Sequence, residues 1–155
     1  MFIKKTNEKI SQLGFQNSSV KLLPKGTVLI AMIGEGKTRG QAAILDIYAA
    51  HNQNTAAIEK YIEHQPSEFL YFYLMQQYEL TRKRGSGNNQ KALNKTRVQA
   101  IEFPLAPVEE QLQISEILDE KFSSIERLGN EINTQLVKAE KNKQSILVSA
   151  FKGLL

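Results

Sequence analysis

Cysteine is absent from the 155 residues, which excludes a disulfide scaffold, a cysteine-ligated zinc ribbon and a thiol nucleophile together. The absence also suits a reducing compartment. Histidine is scarce: His51 and His64 lie far apart in different local contexts and do not make a histidine-rich metal centre. No apolar run approaches the roughly 18 residues of a membrane span. The opening MFIKKTNEK has no apolar signal core. These absences lead to the expectation of a soluble, cytoplasmic chain with no membrane partner, no metal and no cofactor. What is present suffices for a core: 41% of residues are hydrophobic, and the length suits one domain plus an appendage.

The charge is unevenly placed. Residues 1–107 carry 14 Lys+Arg against 8 Asp+Glu, whereas residues 108–155 carry 6 against 8. Within the first part, TRKRGSGNNQKALNKTR (81–97) holds Arg82, Lys83, Arg84, Lys91, Lys95 and Arg97 and no acid, a cluster equal to that part's whole surplus. Concentrated positive charge favours a polyanion, since each phosphate contact releases condensed counterions. A solvated basic turn is the plainer alternative.

Two short β-branched runs, Thr27 to Ile33 and Gln41 to Ile47, read as buried strands. Between them GEGKTRG supplies Gly34, Gly36 and Gly40 around Lys37 and Arg39, as a glycine-rich loop would. LPKG (Leu23 to Gly26) marks a turn before the first run. Pro66 to Arg84 has helical periodicity, with Phe69, Tyr73 and Leu80 on one stripe and Leu70, Leu74 and Tyr78 beside it. At that spacing the aromatics suit a core better than a base-stacking platform. Val98 to Leu105, ended by Pro104 and Pro107, reads as a further strand.

Beyond Pro107 the composition changes. Val108 to Phe151 has no proline and a single glycine, Gly129. Leu118, Phe122, Ile125, Ile132, Leu136, Ala139 and Ile146 recur at alternating spacings of four and three, with Gly129 and Lys143 filling two slots. This heptad seam predicts one helix of about 44 residues, roughly 66 Å long. A lone helix cannot bury its own seam, so the pattern calls for a partner helix.

Ala31 to Thr38, AMIGEGKT, imitates a phosphate loop, and Ala42 to Asp46 imitates the acidic strand that would hold magnesium. Three features oppose a nucleotide site. Arg39-Gly40 follow where a helix should open, Thr38 and Asp46 are too close for a crossover, and alternating strands and helices are missing. The same loop suits a DNA phosphate or a guanine edge. It suits an ordinary exposed hairpin equally well. Glu35-Gly-Lys37 has nuclease-like spacing without the upstream acidic partner, and there is neither an Asn-Pro-Pro motif nor G-x-G-x-x-G. No catalytic set emerges.

LLPKGTVLIAMIGEGKTRGQAAI (Leu22 to Ile44), FLYFYL (Phe69 to Leu74), GNNQKALN (Gly87 to Asn94), FPLAPVEEQ (Phe103 to Gln111) and QSILVSAFKGLL (Gln144 to Leu155), in that order, resemble type I restriction-modification specificity subunits. The resemblance covers nearly the whole chain and rests on the ordered set. It implies a non-catalytic component in which a target recognition domain reads half of a split DNA sequence. A long helix follows, and two such helices pack antiparallel as a spacer. The implied partners are duplex DNA, modification (methyltransferase) subunits and, through the complex, a restriction subunit. Here the match starts partway through a recognition domain.

The resulting expectation is an α+β fold: a shortened target recognition domain, 1–107, followed by a long helix, 108–155, that pairs in an antiparallel coiled coil, with another copy or another helix. The resemblance carries over two stretches as DNA-contact candidates, Gly34 to Gln41 and Gly85 to Lys95. Phosphate contacts are expected from Gly36, Lys37, Arg39, Arg82, Lys83, Arg84, Lys91 and Lys95. Base-edge contacts are expected from Gln41, Asn88, Asn89, Gln90 and Asn94, whose amides suit adenine. Two further readings are an assembly module acting through the helix with DNA reading lost, and nucleotide binding at the loop.

Overall fold

The computed structural model describes residues 1–34, 36–59, 65–83 and 92–154. It divides into two compact units, Met1–Ser115 and Glu116–Leu155. The first is built on a four-stranded mixed sheet. Strands β1 (Phe2–Ile3), β2 (Val28–Ala31), β3 (Ala42–Leu45) and β4 (Thr55–Ile58) lie in the order β1-β3-β2-β4. The helices are α1 (Gln12–Gln16), α2 (Ser67–Gln76), α3 (Tyr78–Lys83), α4 (Lys95–Gln99) and α5 (Val108–Phe151), of which α2 packs against β2 and β3.

The two β-branched runs form the centre of the sheet. β2 pairs antiparallel with β3 (Val28↔Ile44, Ile30↔Ala42) and with β4 (Val28↔Ile58, Ile30↔Ala56). β1 pairs parallel with β3, placing Phe2 opposite Ile44. Because side chains alternate across a strand, one face carries Val28, Ile30 and Ile44. This face is covered by Leu70, Leu74, Leu93 and Val98. The opposite face gathers Leu23, Leu45 and Ala49 around Leu29 and Ala57. Leu23 and Ala49 exchange backbone hydrogen bonds of 2.8 and 3.2 Å, and Gly26, at φ 82°, turns the chain into β2. The Ser67 hydroxyl donates to Gly26 O at 2.6 Å and ties the start of α2 to that turn.

Two expectations are corrected. The helical stretch Pro66 to Arg84 is interrupted at Gln77, giving α2 and α3. Consequently Leu80 leaves the stripe of Phe69 and is 52% exposed, while Phe69, Leu70 and Leu74 are buried. Val98 to Leu105 is not a strand. Asn94 caps α4, its side chain accepting from Arg97 N–H at 2.9 Å, which draws Val98 into a helical turn. Ile101 and Phe103 then pack onto the core without entering the sheet. Phe103 meets Phe69 and Tyr73 edge-on at 5.7 and 5.3 Å, and the Tyr73 hydroxyl donates to Glu102 O at 2.6 Å. Finally, β1, α1 and β4 had no counterpart in the sequence reading.

The first two turns of α5 belong to the compact unit Met1–Ser115, which therefore runs past the compositional change at Pro107. Gln111 is fully buried, its Nε2 donating to Ala106 O at 2.7 Å, and Ser115 is buried beside it. In the second unit, Phe122, Ile125, Ile132, Leu136 and Ile146 are exposed. The helix has the bounds that its heptad periodicity predicts.

Candidate functional site

The loop between β2 and β3 is built by local backbone demands and then held by α3. Ala31 N–H donates to Gln41 O, and Gly40 N–H donates to Ala31 O at 2.8 Å, so the hairpin closes on itself. Gly34 sits at φ 126°, where an added Cβ would come within 2.9 Å of the Thr38 Cβ. Gly40 sits at φ 85°, and a Cβ there would meet the Arg82 Cγ at 3.3 Å and the Tyr78 ring at 3.5 Å. Both conformations strain a residue that has a Cβ. Gly36 has open space around it. Gly40→Ala is therefore expected to destabilise the chain by about 1–2 kcal/mol, and Gly36→Ala by less than about 0.5. Urea denaturation of the two variants checks the contrast; equal effects would contradict this loop geometry.

Three hydrogen bonds bring separate segments to this end of the sheet. The Tyr78 hydroxyl donates to Lys37 O, Arg82 Nη1 donates to Arg39 O at 3.1 Å, and Leu93 N–H donates to Met32 O at 2.8 Å. Met32 N–H in turn donates to Asn54 O at 2.8 Å, just before β4. Side chains of α3 thus hold the loop's backbone, and the entry to α4 is joined to the end of β2 through a backbone bond.

The candidate residues take different positions in this arrangement. Gly36, Lys37 and Gln41 are exposed, as are Lys83, Asn94 and Lys95. Arg39 is only 6% exposed. Arg82 is half-buried, donating also to the Tyr78 hydroxyl at 3.2 Å with its guanidinium 5.3 Å from that ring. The amides of Gly40 and Gln41 are spent within the loop, Gln41 N–H donating to Thr38 O at 2.9 Å. They are therefore already engaged and do not point to an anion. Asn94 uses its side-chain oxygen as the cap of α4. Arg84, Asn88, Asn89, Gln90 and Lys91 lie outside the described residues, as do Glu35 and His64.

The phosphate-loop likeness ends at this geometry. Residues 36–40 form turns that lead into an antiparallel strand, whereas a phosphate loop opens a helix whose N-terminus faces the anion. His51 is anchored locally, with Nδ1 2.9 Å from the Thr55 hydroxyl and 3.1 Å from Thr55 O. Among the described residues no group of His, Asp and Glu is arranged to hold a metal ion, and no helix is long and apolar enough to cross a membrane. In α2, burial pushes the Tyr71 phenol above its usual pKa. Beside β4 lies a cavity of about 970 Å³ whose lining includes Ile58, Leu70, Val98, Ile101, Phe103 and Lys95.

Sequence reasoning assigned Tyr78 to a core stripe and missed its contact with the loop. A Tyr–Arg pair four residues apart is visible in the sequence as a helix-surface pair. That it grips carbonyls 41 and 43 residues away is not.

Residues 2–138 match a family described as the type I restriction modification DNA specificity domain. Over 66 residues, 43% of this chain, the sequence is 30% identical to the type I restriction enzyme StySPI specificity subunit of Salmonella potsdam, and that stretch is 14% of the relative's length. A solved chain, described under "Structural basis underlying complex assembly and conformational transition of the type I R-M system", superposes with a TM-score of 0.75 at 24% identity. The superposition covers 87% of this chain and 33% of the solved one, and it concerns the fold. With the match extending over most of its length, including the sheet, the clamped loop and much of α5, the chain belongs to the type I restriction modification DNA specificity domain family.

Proposed function

We propose that this chain is the DNA-reading part of a type I restriction-modification assembly, binding duplex DNA through the β2–β3 loop and the basic stretch after α3. The supporting observation is the joining of these segments at one end of the sheet, with Lys37, Lys83 and Lys95 exposed on them. Arg84, Asn88, Asn89, Gln90 and Lys91 join this set on the strength of the sequence. In this reading the lysines contact phosphates and fix register, while Gln41 and the asparagines of the basic stretch read base edges. Arg39 and Arg82 support the loop from within.

The chain itself supplies no reaction step; methylation and cleavage belong to the modification and restriction subunits with which it assembles. The exposed apolar seam of α5 is the second half of the reading. It pairs with another such helix, in a second copy or in another specificity segment, and spaces two recognition units along the DNA. A recognition unit at 1–107 with its spacer helix at 108–155 then describes the division of labour.

Each lysine–phosphate contact contributes about −0.9 to the slope of log affinity against log salt. Lys37→Ala is expected to weaken binding to a mixed-sequence DNA duplex and to reduce the slope by about 0.9. Fluorescence anisotropy across a potassium chloride series measures both quantities. Unchanged affinity and slope would remove the loop from the interface and favour a chain that acts through its helix alone.

A further inference from the structure

We infer that Tyr78 and Arg82 are positioning residues for the β2–β3 loop, gripping its backbone so that Lys37 is presented to DNA in one geometry without touching DNA themselves. This inference rests on the loop being part of the DNA interface.

The two side chains lie four residues apart on α3 and so share a face. They brace each other: Arg82 Nη1 donates to the Tyr78 hydroxyl at 3.2 Å, and the guanidinium stands 5.3 Å from the Tyr78 ring centre. A cation over an aromatic face is attracted by the ring quadrupole. The braced pair then reaches two carbonyls on the loop, Lys37 O and Arg39 O. Between those grips and the strand, Gly40 lies close to the same pair. Even one added carbon there would come 3.3 Å from the Arg82 Cγ. The loop is therefore fastened where it approaches α3, while Gly36, Lys37 and Thr38 remain exposed.

Gripping carbonyls has a consequence for recognition. A carbonyl is present whatever the side chain, so residues at the outer loop positions can change while the backbone path is kept. Fastening the path beforehand also reduces the ordering that DNA binding would otherwise require of the loop. The break between α2 and α3 at Gln77 belongs to the same arrangement, since the contacting residues begin directly after it.

The test is a double-mutant cycle on the whole chain with a mixed-sequence DNA duplex as probe. Tyr78→Phe keeps the ring beside Gly40 and removes only the hydroxyl. It is expected to weaken binding about threefold to tenfold in the parent, the range of one net hydrogen bond. In the Lys37→Ala background the same change should have no further effect, because its influence passes through Lys37. A loss of equal size in both backgrounds would overturn the inference. If Lys37→Ala itself leaves affinity unchanged, the loop's place in the interface has failed, and the inference falls with it. If Lys37→Ala weakens binding and Tyr78→Phe does not, only the positioning role has failed.

Arg82→Lys separates geometry from charge. A loss comparable to that of Tyr78→Phe supports the guanidinium grip, whereas full binding would overturn the assignment of Arg82. Hydrogen exchange reads the grip without DNA. In Tyr78→Phe, faster exchange at the Gly40 and Gln41 amides with unchanged protection of Val28 and Ile30 is the expected result. Unchanged exchange throughout would overturn the grip.

Discussion

The double variant Ile125→Asp, Ile132→Asp is expected to sediment as a monomer at concentrations where the parent chain pairs. These two residues flank Gly129 in the middle of the α5 seam and are 61% and 68% exposed in the single chain. Burying an isoleucine against a partner contributes about 2 kcal/mol. Four such side chains in a pair of copies amount to about 8 kcal/mol, or five to six orders of magnitude in the dissociation constant. Aspartate at the same positions adds the cost of a buried, unpaired charge. Neither position lies in the unit Met1–Ser115, so the thermal transition of that unit should be retained. Analytical ultracentrifugation of parent and variant decides the matter, and persistence of the parent's assembly would contradict pairing through the seam. Binding of a single DNA half-site should survive the substitutions, since it depends on the loop and α3.

Leu74→Ala is expected to cost about 3 kcal/mol of folding stability, within the range of core leucine truncations. Leu74 is 2% exposed and lies in the cluster that joins β2 and β3 to α2, Leu93 and Val98. Its removal leaves space among elements contributed by distant parts of the chain, so collapse around the gap is limited. A loss of this size is a large fraction of an ordinary domain's stability. Loop contacts and DNA binding should therefore be lost together as denaturant rises, at a lower concentration than in the parent. Urea titration followed by circular dichroism and by anisotropy with a DNA duplex checks this. Coincident transitions support a loop held by the core, whereas DNA binding that outlasts the core transition would contradict it.

Much of this architecture was legible from local spacing. The heptad seam of Leu118 to Ile146 is a periodic signal that only a helix satisfies, and α5 follows it to the residue range expected. The runs at Val28 and Ile44 are short, apolar and β-branched, and the glycines between them announce a loop. Val98 to Leu105 reads as a strand in the sequence, whereas in the structure Asn94 caps a helical turn that takes up Val98. Prolines at 104 and 107, which cannot donate to a ladder, were the better guide.

Residue type and order by themselves determined the long helix, the central hairpin and the family, because each rests on periodicity, backbone freedom or ordered motifs within short stretches. Only the tertiary structure decided the parallel addition of Phe2–Ile3 to β3, the strand status of Thr55–Ile58 and the break at Gln77. It also decided which basic side chains face outward: Lys37 is exposed, Arg39 is buried and Arg82 faces the loop. Short strands gain their stability from neighbours already in place. An arginine's orientation likewise depends on which carbonyl lies within reach, and the carbonyl that Arg82 meets comes from 43 residues away.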